Sequence, residues 1–342
     1  MKRITNTFVS IICALSFLTA QENNSKNNIN WGEFTPTIKF DGFLKSKFEY
    51  ADETNTSRFS VRNSRVGITG DITSFVSYRA MAELSSEGKF NVLDLYGAIN
   101  PLEGLTVKLG QSSIPIHNPY TVSPGKLLFA NRAFIGKYFT PGTRDIGVSS
   151  SYDFSIADFP IGVDAGLFNG NTINDPVWTN TLSYSTRLRV GNMKGFRTTA
   201  KLYKYPKSEE INFMFYGFDL RYEANNWKVE TEVMHRKNKM DNDKLIATYL
   251  QGAYWFPLQN GKLFRNMITA ARWDAMGSNQ TNSDIDLNRL TMGVGFSFTP
   301  VPFESLIRID YEFYFSKNEL PMWNRQEEET SNKLTVELLL TF

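Results

Sequence analysis

The 342-residue chain is poor in sulfur and imidazole, with one cysteine, Cys13, and two histidines, His117 and His235. Metal sites built from thiolate or imidazole need more ligands than that, so no metal and no cofactor is expected. Net charge is also small, +2 from 37 basic and 35 acidic residues, which gives no argument for a nucleic-acid partner. Beyond the first twenty residues no run approaches the ~18 apolar residues of a membrane helix. The chain contains no GxxxxGK[ST], no GxGxxG in a strand–helix setting and no HExxH. Serine is too common for His235 to single out a nucleophile, so no catalytic residue is assigned.

What is present begins with an export signal. Lys2 and Arg3 form a positive n-region, residues 8–18 a short apolar core, and Leu18-Thr19-Ala20 a cleavage site. Residues 1–20 are therefore expected to be a signal peptide. It carries Cys13 with it, leaving the mature chain without a thiol. Residues 21–35, rich in Asn, Ser and Lys, read as a flexible mature N-terminus. Residues 36–342 read as a single domain, with no second composition regime.

That domain alternates almost throughout. Ile38, Phe40, Gly42, Leu44, Ser46, Phe48 and Tyr50 share one face of the first strand. Lys39, Asp41, Phe43, Lys45, Lys47 and Glu49 share the other. A soluble sandwich also alternates, but this run exceeds the ~5–6 residues usual there and fits a tilted membrane strand of ~9–11 residues plus its ends. In Arg58 to Ile72 the phase slips between Val61 and Val66, and a β-bulge near Asn63 reconciles the halves. The pattern returns over 76–84, 93–99, 105–110, 146–153, 161–168, 182–190, 196–202, 214–222, 227–236, 246–254, 269–274, 290–298, 307–315 and 333–342. Short connections at 100–104, 192–195 and 225–226 contrast with longer ones at 169–181, 238–244, 274–288 and 317–332. A mean hydropathy of −0.32 and 14% aromatic residues suit such a layout. The expected fold is all-β, a transmembrane antiparallel β-barrel of about 16 strands.

One stretch breaks the rhythm. From Ser112 to Gly142 the alternation is lost and Pro115, Pro119, Pro124 and Pro141 exclude a central strand. It carries Lys126, Arg132 and Lys137, with Arg144 just beyond, and the aromatics Tyr120, Phe129, Phe134, Tyr138 and Phe139. A loop this long and apolar is expected to fold into the lumen.

The final strand, KLTVELLLTF, resembles the closing strand of bacterial outer-membrane barrels, which implies Phe342 as an assembly signal read by the barrel-assembly machinery. RFSVRNSRVGITG (58–70), LDLYGAI (93–99), LTVKLGQSSIP (105–115), RDIGV (144–148) and LFNG (167–170) resemble, in order and spacing, the phosphate-selective porin O and P family. The resemblance implies a homotrimer of 16-stranded barrels in the outer membrane of a Gram-negative bacterium, in contact with its lipids, with the third external loop inside the pore. Phosphate-selective members line the pore with arginines and lysines. In this chain the inward phase balances acids (Asp41, Glu83, Asp94, Asp164, Asp219, Glu230, Glu232, Asp310, Glu312) against bases.

The function implied is passive diffusion of small hydrophilic solutes, with a preference for anions such as phosphate. Lys126, Arg132, Lys137, Arg144, Arg187, Arg189, Arg197, Lys201 and Arg308 are the candidate pore-lining, solute-binding residues. A non-conducting structural or adhesive barrel, or a barrel-embedded lipid hydrolase using His235, are the alternatives.

Overall fold

The computed structural model describes residues 35–342 apart from 87, 119–122, 193, 242, 260, 279–284 and 318–330. The expected signal peptide, and residues 21–34 of the expected N-terminal segment, lie outside the described residues. From Pro36 onward the chain is one compact unit, a single antiparallel sheet closed on itself.

The strands are β1 (Lys39–Ala51), β2 (Thr56–Val61), β3 (Ser64–Asp71), β4 (Val76–Ser86), β5 (Lys89–Leu102), β6 (Leu105–Ser113), β7 (Arg144–Ile156), β8 (Phe159–Phe168) and β9 (Ser183–Gly191). They continue with β10 (Gly195–Pro206), β11 (Asn212–Ala224), β12 (Trp227–Asn238), β13 (Lys244–Pro257), β14 (Asn266–Ser278), β15 (Leu287–Ser297), β16 (Leu306–Lys317) and β17 (Lys333–Thr341). β2 and β3 both pair with β1 and are halves of one interrupted strand, so the barrel has sixteen staves. Val61 pairs with Ser46 and Arg65 with Phe43, so three residues oppose two at the break. Asn63 takes a positive φ of 61° there. This is the expected bulge, and it restores the oily face to the outside after a one-residue slip.

Each stave puts apolar residues outward because lipid lies there, and the lumen receives the charges. Phe40, Leu44, Leu109, Leu250 and Ile309 are exposed on the outer wall. Lys45, Lys47, Glu49, Glu230, Glu232 and Glu337 are buried on the inner one. Outward aromatics gather towards the two strand ends, for example Phe196, Tyr222, Trp227, Tyr254 and Phe342 at one and Phe59, Tyr184, Tyr216 and Phe315 at the other. No helix among the described residues is long and apolar enough to cross a membrane; the strands make the crossing.

The connections divide by side. Two-residue turns at 103–104, 157–158 and 225–226 lie at one end of the barrel. The other end carries the connections at 169–182, 279–286 and 318–332 and the longest, at 114–143. Several boundaries differ from those expected. Ser112 and Ser113 still pair in β6, β5 runs on to Leu102, and β14 continues past Asp274 to Ser278. Cross-strand pairing carries these strands beyond the point where alternation fades in the sequence.

The described residues 114–118 and 123–143 of the third connection on the long-loop side fold inside the barrel. Ile116, Phe129 and Phe139 are wholly buried, and a single-turn helix α1 (Phe134–Lys137) interrupts the loop. Its apolar side packs on inward residues of the outer halves of β10–β15: Tyr203, Phe213, Phe215, Leu245, Ala247, Met276 and Leu287. A second cluster joins Leu128 and Phe129 to Phe43, Ile268, Leu306 and Leu339. Gly293 makes room for this approach, since a Cβ there would come within 3.3 Å of the Phe129 ring.

Candidate pore constriction

A loop inside a lumen has no ladder to satisfy its backbone, so each buried carbonyl and amide needs a partner from the wall. The inward charges supply them. Lys45 Nζ donates to the Ala130 carbonyl at 2.9 Å, Arg308 to Leu127 at 2.8 Å and Arg272 to Asn131 at 3.0 Å. Arg289 donates to Arg132 O at 2.9 Å and Arg187 to His117 O at 3.0 Å. Carboxylates take the amides: Ala130 N–H donates to Asp310 at 2.6 Å and Phe134 N–H to Asp274 at 2.9 Å.

The anchoring cations are themselves paired, which holds them at fixed positions. Lys45 meets Glu337 at 2.8 Å, and Arg308 pairs with the same carboxylate. Arg289 bridges Asp274 at 2.7 Å and Glu312 at 2.6 Å, and its guanidinium lies 4.5 Å from the Phe134 ring centre. Buried pairs of this kind position groups more than they stabilise.

At the loop's neck His117 Nε2 lies 2.9 Å from Gly142 O. Burial pushes the imidazole down to about 3, so it is neutral at physiological pH and donates through Nε2. The described residues contain no group of His, Cys, Asp and Glu able to hold a metal.

Solvent reaches only part of the wall. Lys45 and Glu337 are 1% and 0% exposed and Lys201 and Asp219 0% and 2%. On β1 and β4 Asp41 is 44% and Arg79 20% exposed, and on β7 and β9 Asp153 is 60% and Arg189 23%. The wetted inner residues therefore lie on β1, β4, β7 and β9 towards the short-turn end, while Arg65, Glu83, Asp94 and Asp164 are buried. Cations and carboxylates interleave there. Arg79 holds Asp41 at 2.8 Å and approaches Asp94 at 3.6 Å, and Arg144 reaches Asp94 at 2.7 Å. Arg187 and Arg189 share Asp164 at 2.7 and 2.8 Å, and Arg189 also pairs with Asp153. A cavity of about 870 Å³ opens beside Arg187, Arg189 and Arg197 towards the short-turn end.

The nine basic residues singled out from sequence thus separate into groups. Arg187 and Arg189 face the wetted lumen on one carboxylate, and Arg144 joins Asp94 nearby. Lys201 is clasped between Asp219 and Glu232, both at 2.6 Å, and Arg197 lies 3.7 Å from Asp219. Arg308 is beneath the loop. Lys126 is exposed at the end of a 3-10 turn, Pro124–Lys126. Lys137 donates to Tyr138 Oη at 2.6 Å. Arg132 differs from all of these, for its half-buried guanidinium has no hydrogen-bond or ion-pair partner among the described residues. Burial, with Arg65 adding to it, pushes it down to about 10, still charged at neutral pH. With Lys47, Arg58, Arg62 and Lys333 it lines a cleft on the long-loop side whose one carboxylate among the described residues is Glu49.

Sequence reasoning missed the anchors Lys45, Asp274 and Arg289 and the wetted pair Asp41–Arg79. Their inward phase was readable, but nothing local distinguishes an anchor from a pore charge. His235, on the outward phase, has its ring 6.3 Å from Tyr216.

No protein-family model matches the chain, and no curated protein matches it in sequence. Solved structures match in fold. OmpF of Salmonella typhi in complex with daunomycin shares 13% identity over 89% of this chain and 97% of that one, with a TM-score of 0.63. The trimer form of in-vitro folded OmpT, an outer membrane protein of Vibrio cholerae, gives 9% identity, 90% and 100% coverage and 0.62. An anion-selective porin from Comamonas acidovorans gives 11%, 90%, 100% and 0.57. At these identities the likeness is one of architecture, a closed antiparallel outer-membrane barrel.

Proposed function

We propose that this chain is an outer-membrane porin, related to the phosphate-selective porin O and P family, through which small hydrophilic solutes diffuse passively. In this reading residues 1–20 direct export, the barrel is inserted by the assembly machinery of a Gram-negative cell, and three copies associate. The observation that carries it is the third loop, bound to the inner wall through Lys45, Arg272, Arg289 and Arg308, while Asp41, Arg79, Asp153 and Arg189 stay wetted inside the barrel. A barrel with a purely structural task needs no such partition. No catalytic role is assigned to any residue.

A preference for anions such as phosphate is part of the same proposal. Arg132 brings a positive charge with no ion-pair partner among the described residues, and Arg65, Arg62 and Arg144 act on it from nearby, opposed by Glu83. Forked guanidinium groups in a narrow, partly dehydrated passage favour oxyanions. The match to a porin described as anion-selective is consistent with this.

The test is planar-bilayer recording of the purified barrel under a salt gradient. Stepwise insertion of open channels, with a reversal potential of anion sign, is expected. The apolar packing of the loop on β10–β15 favours a second reading, a sealed structural barrel, and absence of current through correctly folded protein would select it. Current with a cation-sign reversal potential would keep the porin and remove the anion preference.

A further inference from the structure

The outer wall along β9–β13 carries no charged side chain except at one place. Lys204 pairs with Met214, Met214 with Lys237 and Lys237 with Lys244, so three lysines lie on one register row across β10–β13. All three are on the outward phase, half-buried, and close to the long-loop ends of their strands. Lys237 and Lys244 are direct cross-strand partners, an arrangement of like charges that weakens a sheet unless a counter-charge sits between them. None of the three pairs with a carboxylate among the described residues, and no outward position of β9–β13 is acidic. Glu209, Glu210, Asp241 and Asp243 are confined to the adjoining loops, and Asp243 faces Arg236 at 3.9 Å. Lys204 leans over the Tyr184 ring at 5.9 Å.

The next row towards the membrane centre is Leu202, Tyr216, His235 and Ile246, followed by Ala200, Phe218, Val233 and Thr248. Tyr216, Phe218 and Val233 are exposed. The wall therefore goes within a few residues from three cations to a row carrying Tyr216 and His235 and then to an uncharged row carrying Phe218 and Val233. That order matches an amphiphile standing upright, with an anionic head above and acyl chains below.

We propose that this face of the barrel binds a phosphate-bearing membrane lipid, with Lys204, Lys237 and Lys244 as ligands of the phosphate and the Tyr216–His235–Ile246 row receiving the upper part of its chains. Adjacent strands are about 5 Å apart, so flexible lysine stems bring all three ammonium groups to one phosphate. Lysine serves here as a compact point charge, with no need for forked geometry. A free phosphate ion would gain the charges but not the apolar wall. A second copy of the chain would bring the same row of lysines or a neutral wall against it. The site rests on the transmembrane barrel and is independent of what the pore conducts.

The experiment incorporates the intact barrel into phosphatidylcholine nanodiscs doped with phosphatidic acid and counts the lipid retained after detergent exchange by native mass spectrometry. Wild type should retain phosphatidic acid in the presence of millimolar inorganic phosphate. The Lys204→Gln, Lys237→Gln, Lys244→Gln triple variant should lose it by roughly tenfold or more, since each lysine near a lipid phosphate strengthens association several-fold. The corresponding triple Lys→Arg variant should keep it. Single Lys→Gln variants should give graded losses and replace the triple variant where that does not assemble. Equal retention by wild type and the glutamine variants overturns the proposal. So does displacement from wild type by inorganic phosphate, which would mark a free-phosphate site. Disulfide cross-linking of Lys237→Cys between copies would place the row in a subunit interface and overturn it as well.

Discussion

Phe342 and Gly42 exchange both backbone hydrogen bonds, at 2.9 and 3.0 Å, and the Phe342 ring lies where a Gly42 side chain would be. A Cβ on Gly42 would meet that ring at 2.7 Å and the Arg65 carbonyl at 2.5 Å. These two residues finish the seam at which β17 joins β1, nine paired positions that close the barrel. An open seam would leave unpaired amides and carbonyls in hydrocarbon, at several kcal/mol each.

Closure should therefore fail from either side. Deleting Phe342 or making Phe342→Asp removes the ring and the lipid-facing anchor, and Gly42→Val expels the ring without touching it. Each should lower the amount of heat-modifiable barrel recovered from the outer membrane. Normal recovery of the Phe342 variants would remove any assembly role for that residue.

Asp274 should be the most sensitive of the loop's anchors. It is fully buried, accepts the Phe134 N–H at 2.9 Å and holds Arg289 at 2.7 Å. Asp274→Ala leaves the buried Phe134 amide without its acceptor and removes one of the two carboxylates on Arg289, Glu312 remaining, a loss of about 1–3 kcal/mol. The expected result is a noisier, larger single-channel conductance and a lower temperature for loss of heat-modifiable migration. Asp274→Asn, which keeps one acceptor oxygen, should fall between wild type and alanine.

The sequence carried the staves clearly because lipid enforces alternation at every second position, and the slip at Asn63 was readable as a change of phase. The loop was readable too, from its prolines and lost period. The division of the lumen was not. Ala130 takes one bond from Lys45 and gives one to Asp310, 85 and 180 residues away. Alternation shows that both residues face inward and says nothing of what they meet. Phe213 and Phe215 point inward while Met214 and Tyr216 point outward, leaving the outer end of β11 apolar on both faces. That doubled apolarity is the one local sign that something packs inside the barrel there.

His117 gives the docked loop a dependence on acid. Its ordinary value of 6.5 falls to about 3 in the folded loop. A released loop binds a proton below 6.5 and the docked loop does not, so docking is strongest above pH 6.5 and weakens as the pH falls towards 3. Channel flicker should be low at pH 7 and rise at pH 4, and His117→Gln should flatten that difference. A His117 imidazole that titrates by NMR near 6.5 in the folded barrel would remove the effect.

The last expectation concerns ion selectivity, where the charges do not contribute alike. Arg187 and Arg189 are offset by Asp164 and Asp153, and Lys137 is committed to Tyr138, whereas Arg132 has no ion-pair partner among the described residues. Arg132→Gln alone should move the reversal potential a measurable step towards cations. Adding Arg187→Gln and Arg189→Gln should move it much further, because two carboxylates are then left bare beside the passage, and Lys137→Gln should add little. Short-range pairs respond weakly to salt, while the field of an unpaired arginine is screened within about 10 Å at 0.1 M. The Arg132 step and the step from the carboxylates bared by the Arg187 and Arg189 changes should accordingly both shrink as ionic strength rises. A triple variant with wild-type selectivity at low salt would mean that ions pass without sensing these groups.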